Sequence, residues 1–252
     1  MKIAVYSDLH LEFNKDLKLN VADEVEVIVL AGDIVVGKDS KFITDLCSQY
    51  PDKEVVYVSG NHEHYNQTIS DVLMYYRDLS NNTPNLHFLN DSIVEIKSVV
   101  FHGTTLWTGF NSKGEAWRNI GKLEAERNIS DFYRIKVRGS KMSADIMEGL
   151  HKQACHWLYT SLQKHSGRTN VVVTHWPPLI ECKHPEIASS LFDTYFNNDL
   201  QDLISECNID LWCYGHNHWS DEFELYDTRF ISNQLGYPRE KTGFTKNDYV
   251  VV

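Results

Sequence analysis

The stretch "EVVYVSGNHE" (residues 54–63) decides how the fold is read. It runs through β-branched and aromatic residues without polar alternation, then turns at Gly60 into Asn61, His62 and Glu63. A continuous apolar run of this length suits a strand covered on both faces, and a glycine followed by polar residues marks the loop beyond its carboxyl end. "EVIVLAGD" (26–33) repeats the form and stops at Gly32-Asp33. Helical patterns follow these runs at about 39–50, closed by Pro51, and at about 68–80. Strand, loop, helix, strand predicts an α/β chain with a central sheet.

Working outward, "KIAVYS" (2–7) reads as a first strand and 86–107 as a β-meander with turns at Asn90-Asp91 and Lys97-Ser98. Residues 108–140 are polar and hold four glycines, which predicts an irregular surface excursion and a candidate lid. Residues 143–165 carry helical spacing, and "TNVVVTHWPP" (169–178) is a strand stopped by two prolines. A second loop, 179–197, precedes a helix near 198–207, the strand "IDLWCYGHNH" (209–218), and short antiparallel strands over 222–252. No repeat, low-complexity stretch or linker divides the chain, so 1–252 is expected to be one domain.

Hydrophobic residues at 42% and aromatics at 12% are ample for a core. A net charge of −11 argues against coating extended nucleic acid, which needs a basic surface. It leaves room for a small phosphate-bearing substrate, because a bound metal reverses the local field. No stretch approaches the roughly 20 apolar residues of a membrane span. "MKIAVYSDLHLE" reads as a strand rather than a signal peptide, so the cytoplasm is the expected location. The five cysteines are odd in number and form no C-x-x-C, which predicts reduced thiols. The oligomeric state stays open.

Five strand-like runs end in one chemistry: Asp8-Leu9-His10, Gly32-Asp33, Gly60-Asn61-His62-Glu63, Thr174-His175 and Gly215-His216-Asn217-His218. In α/β sheets ligands bind beyond the carboxyl ends of strands, so the five ends could converge on one place. Asp, His and Asn without Cys suit Mn²⁺, Fe²⁺ or Zn²⁺. Asp8, His10, Asp33, Asn61, His175, His216 and His218 are too many for one ion that keeps open positions, whereas two ions roughly 3.5–4 Å apart use them well. Asp33, alone at its strand end, is the natural bridge, and His216 and His218 can each serve a different ion.

In order, the blocks "SDLHLE", "AGDI", "SGNHE", "THWPP" and "YGHNH" resemble the D-x-H, G-D, G-N-H-(D/E), H and G-H-x-H motifs of the calcineurin-like metallophosphoesterases. The resemblance runs from residue 7 to residue 218. It implies two mixed β-sheets packed as a sandwich and flanked by helices, a four-layer α/β/β/α fold. It implies one ion on Asp8, His10, Asp33 and His218 and a second on Asp33, Asn61, His175 and His216. It also implies a metal-bridging hydroxide as nucleophile, with His62 facing the leaving group rather than a metal.

Departures narrow the activity. Protein phosphatases of this superfamily continue G-D-x-V-D-R-G, where this chain has Val36 and Gly37, and precede G-N-H-E with Arg, where it has Ser59. Those arginines clamp a dianionic monoester. Their absence favours a phosphodiesterase for a small nucleotide-like ester, with a phosphomonoesterase or protein phosphatase as the alternative. A non-catalytic, metal-stabilised binding scaffold is the alternative of another class. Val36 also stands where an Asp would orient His62, which leaves Glu63 or Asp131 as candidates. Tyr133 and Arg134 could stack a base and hold phosphate, or be plain surface residues. Trp107 and Trp176 could stack on a nucleobase or pack beneath the site.

Overall fold

The computed structural model describes residues 1–252. One sheet holds Lys2–Tyr6, Val27–Ala31, Glu54–Val58 and Leu86–Phe88 side by side and parallel, with Val250–Val251 antiparallel at the edge next to Lys2–Tyr6. The second runs in the order Asp221–Leu225, Thr228–Ser232, Leu211–Cys213, Thr169–Thr174, Val99–Thr104, Ser92–Ile96, antiparallel only at its two outer pairs. These are the two mixed sheets that the resemblance implies.

The continuous apolar runs have a direct cause. Side chains alternate across a strand, and both faces of these strands are covered. Ile3, Val5, Val27, Val29, Val56 and Val58 point at the other sheet, where Phe101, Val171, Val173 and Leu211 meet them. Their alternates Ala4, Tyr6, Ile28, Leu30, Val55 and Tyr57 face outward onto Ile43 and Leu46 of the helix Lys41–Gln49 and Val72 and Tyr76 of the helix Ile69–Asn81. The outer face of the second sheet, with Val172, Trp212 and Phe230, is covered by a cluster that includes Met147, Leu158 and Leu162 of the helix Ala144–Lys164. That helix starts at Ser143, whose side chain accepts from the Ile146 N–H.

Three expectations are corrected. Residues 86–107 are not a meander: Leu86–Phe88 pairs in parallel with Val55–Tyr57 in the first sheet, whereas Ser92–Ile96 and Val99–Thr104 form a hairpin in the second. Local alternation does not say which sheet a strand joins. Residues 108–140 are not irregular but carry the 14-residue helix Glu115–Asn128. Beyond Ser232 the chain makes no strand until Val250, and 233–249 packs as irregular structure against the strand ends.

His102 gives the fold a pH dependence. Its ring is buried in the second sheet, where Nδ1 accepts from the Ser161 hydroxyl (2.9 Å) and Nε2–H donates to Asn170 Oδ1 (3.0 Å). Both partners suit the neutral ring, and burial lowers its pKa to about 4. An unfolded chain takes up this proton near pH 6.5 and the folded chain only near 4, so stability is lost as pH falls through that window. Urea unfolding at pH 7.5 and 4.5 is expected to show His102→Gln losing about 2–3 kcal/mol less than wild type between the two. Equal losses would mean that the buried ring is not a source of acid sensitivity.

Candidate metal centre at the strand ends

Each motif follows the carboxyl end of a strand: Ser7 to His10 after Tyr6, Gly32-Asp33 after Ala31, Ser59 to His62 after Val58, His175 after Thr174, and Tyr214 to His218 after Cys213. The backbone bends sharply there. Asp8, His10, Asp33, His216 and His218 all have left-handed φ, between 44° and 77°, a conformation that costs a non-glycine residue of order 1–3 kcal/mol. Side-chain bonds to the backbone hold these bends. Asp8 accepts the His216 N–H (3.0 Å), Asp33 Oδ1 the His62 N–H (2.8 Å), Gln234 the His218 N–H (2.7 Å) and Glu63 the Gly60, Asp33 and Ile34 N–H groups. The glycines clear space: a Cβ on Gly60 would stand 2.2 Å from Asp33 Oδ1, and one on Gly215 2.5 Å from Asp8 Oδ2.

All eight motif side chains, Asp8, His10, Asp33, Asn61, His62, His175, His216 and His218, are brought together. Three groups could each hold a cation, with ligand atoms within 4.8 Å of one another: Asp8, His10 and His218; His10, Asp33 and His62; and Asp33, His175 and His216. Asp33 belongs to two of them. Its Oδ2 lies 3.5 Å from His175 Nε2, 3.9 Å from His62 Nε2 and 4.0 Å from His10 Nε2.

The hydrogen bonds around the rings test whether a cation fits. His10 Nδ1 donates to Glu12 (3.2 Å), His218 Nδ1 to Glu240 (2.6 Å) and His175 Nδ1 to the Ala31 carbonyl (2.8 Å). Each neutral ring therefore carries its lone pair on Nε2. Those lone pairs converge: His10 Nε2 is 3.1 Å from His218 Nε2, and His175 Nε2 is 3.1 Å from Asn61 Oδ1 and 3.3 Å from His216 Nδ1. The buried His216 Nε2 has no partner at all. Acceptors packed against acceptors are unfavourable unless a cation or added protons lie between them. Without a cation the cluster turns to protons. Burial would lower His218, yet Asp8 and Glu240 push it up to about 10, and Asp33 likewise raises buried His175 to about 9. Burial and His175 hold His216 well below its usual range. The donor set fits divalent ions better than it fits an uncharged pocket.

Asp33, Asn61, His62, His216 and His218 line a cavity of about 740 Å³. Its walls include residues 128–131 and much of 183–197, together with Tyr65, Tyr237 and the cations Lys183, Arg239 and Lys241. Trp176 is fully buried and Trp107 nearly so, and neither lines the cavity. Tyr133 is exposed, bonds the Arg127 carbonyl and stays outside the cavity. Arg134 also lies outside the lining, stacked 4.2 Å over the Tyr65 ring, itself 4.3 Å from His62.

Neither carboxylate that the sequence suggested orients His62. Glu63 is used by the backbone around Asp33, and Asp131 accepts from Asn61 Nδ2 (3.0 Å), Tyr65 (2.9 Å) and Tyr195 (2.6 Å). Glu12 takes the place, with Oε1 2.9 Å from His62 Nδ1. Burial would lower His62, but the Asp33 and Glu12 charges raise it. On the other side of the ring, Tyr237 OH lies 3.2 Å from Nε2. Sequence reasoning missed Glu12, Tyr237, Glu240 and Gln234. Glu12 alone had a local signal, as an acid two residues beyond a motif histidine.

Comparison with known proteins agrees with this geometry. The profile of the calcineurin-like phosphoesterases matches residues 1–220. An uncharacterized protein of Acanthamoeba polyphaga mimivirus is 28% identical, over 99% of this chain and 96% of that one. The phosphopantetheinyl hydrolase of Mycobacterium tuberculosis superposes with a TM-score of 0.72 at 17% identity, covering 94% of this chain and 90% of that one. GAP50, the anchor in the inner membrane complex of Plasmodium, gives 0.51 at 15% identity over 100% and 77% of the two chains. At such identities both structural likenesses concern the fold. The profile spans most of the chain and all five strand-end motifs, and the protein belongs to the calcineurin-like phosphoesterase family.

Proposed function

We propose that the protein is a dinuclear, metal-dependent phosphoesterase acting on a small, nucleotide-like phosphodiester. The observation that carries this reading is the position of Asp33 Oδ2, within reach of both the His10 group and the His175–His216 group. Asp8, His10, Asp33 and His218 would hold one ion, and Asp33, Asn61, His175 and His216 the other. Two divalent ions there would supply Lewis acidity to the phosphoryl oxygens and a water activated for in-line attack. Oxygen and nitrogen donors without thiolate favour Mn²⁺, with Fe²⁺ or Zn²⁺ as substitutes. His62 lies at the cavity wall with Nε2 turned inward, suited to protonating a leaving oxygen near neutral pH.

The cavity volume falls in the range typical of small-molecule sites and suits a nucleotide-sized ester rather than extended nucleic acid. We read 108–140 and 179–197 as the elements that close over it. A diester is favoured because Ser59 is fully buried against His64 and Thr105, and Gly37 has no side chain, so no arginine clamp stands at either position. Arg239 and Lys241 at the cavity wall favour the second reading, a phosphomonoesterase, since either could meet a dianion. No helix is long and apolar enough to cross a membrane. All five cysteines are free, which supports a reducing compartment, the cytoplasm in our reading.

On the metals, elemental analysis is expected to find up to two divalent ions per chain, and activity lost to EDTA should return with Mn²⁺. Asp33→Asn should weaken both sites, His218→Ala chiefly the first and His216→Ala chiefly the second. Activity indifferent to chelation, or an Asp33→Asn protein that keeps both ions at normal affinity, would sink the dinuclear assignment.

On the substrate, kcat/KM should be higher for bis-p-nitrophenyl phosphate than for p-nitrophenyl phosphate; a strong reverse preference would promote the monoesterase. His62→Asn should keep both ions and slow diphenyl phosphate hydrolysis by roughly 10²–10⁴. The loss should be smaller for bis-p-nitrophenyl phosphate, whose leaving group needs no proton. Equal losses would mean that His62 stabilises phosphoryl charge instead.

A further inference from the structure

His62 needs an orienting group, and Val36 stands where the resemblance would place an Asp. That place does lie beside His62, since the Gly37 N–H donates to the His62 carbonyl (3.2 Å), but a valine side chain accepts nothing. Glu63 and Asp131 are committed elsewhere, as described above. Glu12 comes from another direction. The Phe13 and Asn14 N–H groups both donate to the His10 carbonyl, which closes a tight turn on His10. The Glu12 side chain, 22% exposed, then lies with Oε1 2.9 Å from His62 Nδ1 and 3.2 Å from His10 Nδ1.

We infer that Glu12 is a positioning residue that sets two functions at once: through a single oxygen it holds Nδ1–H of His10, a proposed metal-binding ring, and Nδ1–H of His62, the proposed acid. This rests on the functional reading above and deepens it. The two rings meet nearly edge to face, with centroids 4.4 Å apart and planes at 67°. Sharing one acceptor on their outer side turns both Nε2 atoms inward, His10 toward His218 (3.1 Å) and His62 toward the Asp33 carboxylate (3.9 Å) and Tyr237 (3.2 Å). Rotating either ring would leave its Nδ1–H without this acceptor and withdraw a lone pair or a proton from the cavity. Metal-binding histidines commonly rely on such an outer carboxylate, whose removal costs roughly 10–100-fold in affinity or activity. Here one carboxylate does this for a metal-binding ring and for an acid, so damage to it should show in both.

The primary test needs no metal or substrate. Long-range ¹H–¹⁵N spectra of the metal-free protein at alkaline pH should show His10 and His62 as Nδ1–H tautomers. In Glu12→Ala both should shift toward mixed tautomers; in Glu12→Gln, whose amide oxygen still accepts, they should shift less. Unchanged tautomers in Glu12→Ala would overturn the inference. At saturating Mn²⁺, which offsets the His10 arm, Glu12→Ala should slow diphenyl phosphate more than bis-p-nitrophenyl phosphate, and the Glu12→Ala/His62→Asn double variant should be little slower than His62→Asn alone, because the remaining effect runs through the His62 ring; the His10 arm should show separately as weaker Mn²⁺ binding in Glu12→Ala. Losses that multiply would likewise overturn it. If His62→Asn shows no dependence on the leaving group, the acid reading of His62 fails, while the tautomer result still decides whether Glu12 orients the two rings.

Discussion

Two carboxylates, Asp8 and Asp33, sit almost without solvent exposure between the carboxyl edges of two sheets. Removing a carboxylate from water is unfavourable unless charge and hydrogen bonds replace the water. Much of the surrounding architecture does that. Asp8 receives the His216 N–H and faces His218; Asp33 receives the His62 N–H and faces His10, His62 and His175. Burial alone would raise both carboxyls, yet the neighbouring histidines keep both below the usual range. The same contacts tie the sheets together, since Asp8 and Asp33 follow strands of the first while His175 and His216 follow strands of the second. A site built at this seam is also the fastening of the sandwich at that edge.

The parts of the molecule that were legible in the sequence are those with a local cause. A strand buried on both faces has to be apolar throughout, and a chain that turns abruptly to present a polar group needs Gly beside Asp, Asn or His. Both constraints act within about ten residues, so 26–33 and 54–63 could be read directly. What could not be read has a distant cause. The first sheet takes Leu86–Phe88 because of a partner about 30 residues upstream, and the second takes Ser92–Ile96 because its hairpin partner Val99–Thr104 pairs in turn with Thr169–Thr174, about 70 residues downstream, and neither distant partner leaves a mark on the strand. Tyr237 and Glu240 meet His62 and His218 across gaps of 175 and 22 residues, from a segment without regular structure. The helix Glu115–Asn128 was hidden because its apolar residues Trp117, Ile120 and Leu123 are exposed, and its glycine, Gly121, faces Thr194.

The segments between the motifs aim the motif side chains. Asp131, from 108–140, and Tyr195, from 179–197, form one buried network with Tyr65 and with the amide nitrogen of Asn61. That network fixes which end of the Asn61 amide faces His175. Reversed, the amide would present donors to a place where His175, His216 and Asp33 already bring acceptors, and any cation would be repelled. The excursions are thus bound to the centre by the same hydrogen bonds that orient it.

His216 shows that packing can do this work where hydrogen bonds do not. His10 and His62 are steered by Glu12, His218 by Glu240 and His175 by the Ala31 carbonyl, each through Nδ1. His216 has the reverse arrangement, with Nδ1 facing His175 Nε2 and Nε2 unpartnered. Its ring lies between Trp176, with centroids 4.1 Å apart and planes at 33°, and Phe196, with centroids 5.3 Å apart. Trp176 is in turn locked by its indole N–H to the Tyr195 carbonyl (3.0 Å) and by Trp107, 4.9 Å away. A ring between aromatic faces keeps its plane but gains no preference for which nitrogen carries the proton. The tautomer of His216 is therefore left to whatever binds beside His175, whereas the tautomers of the other rings are set by the scaffold.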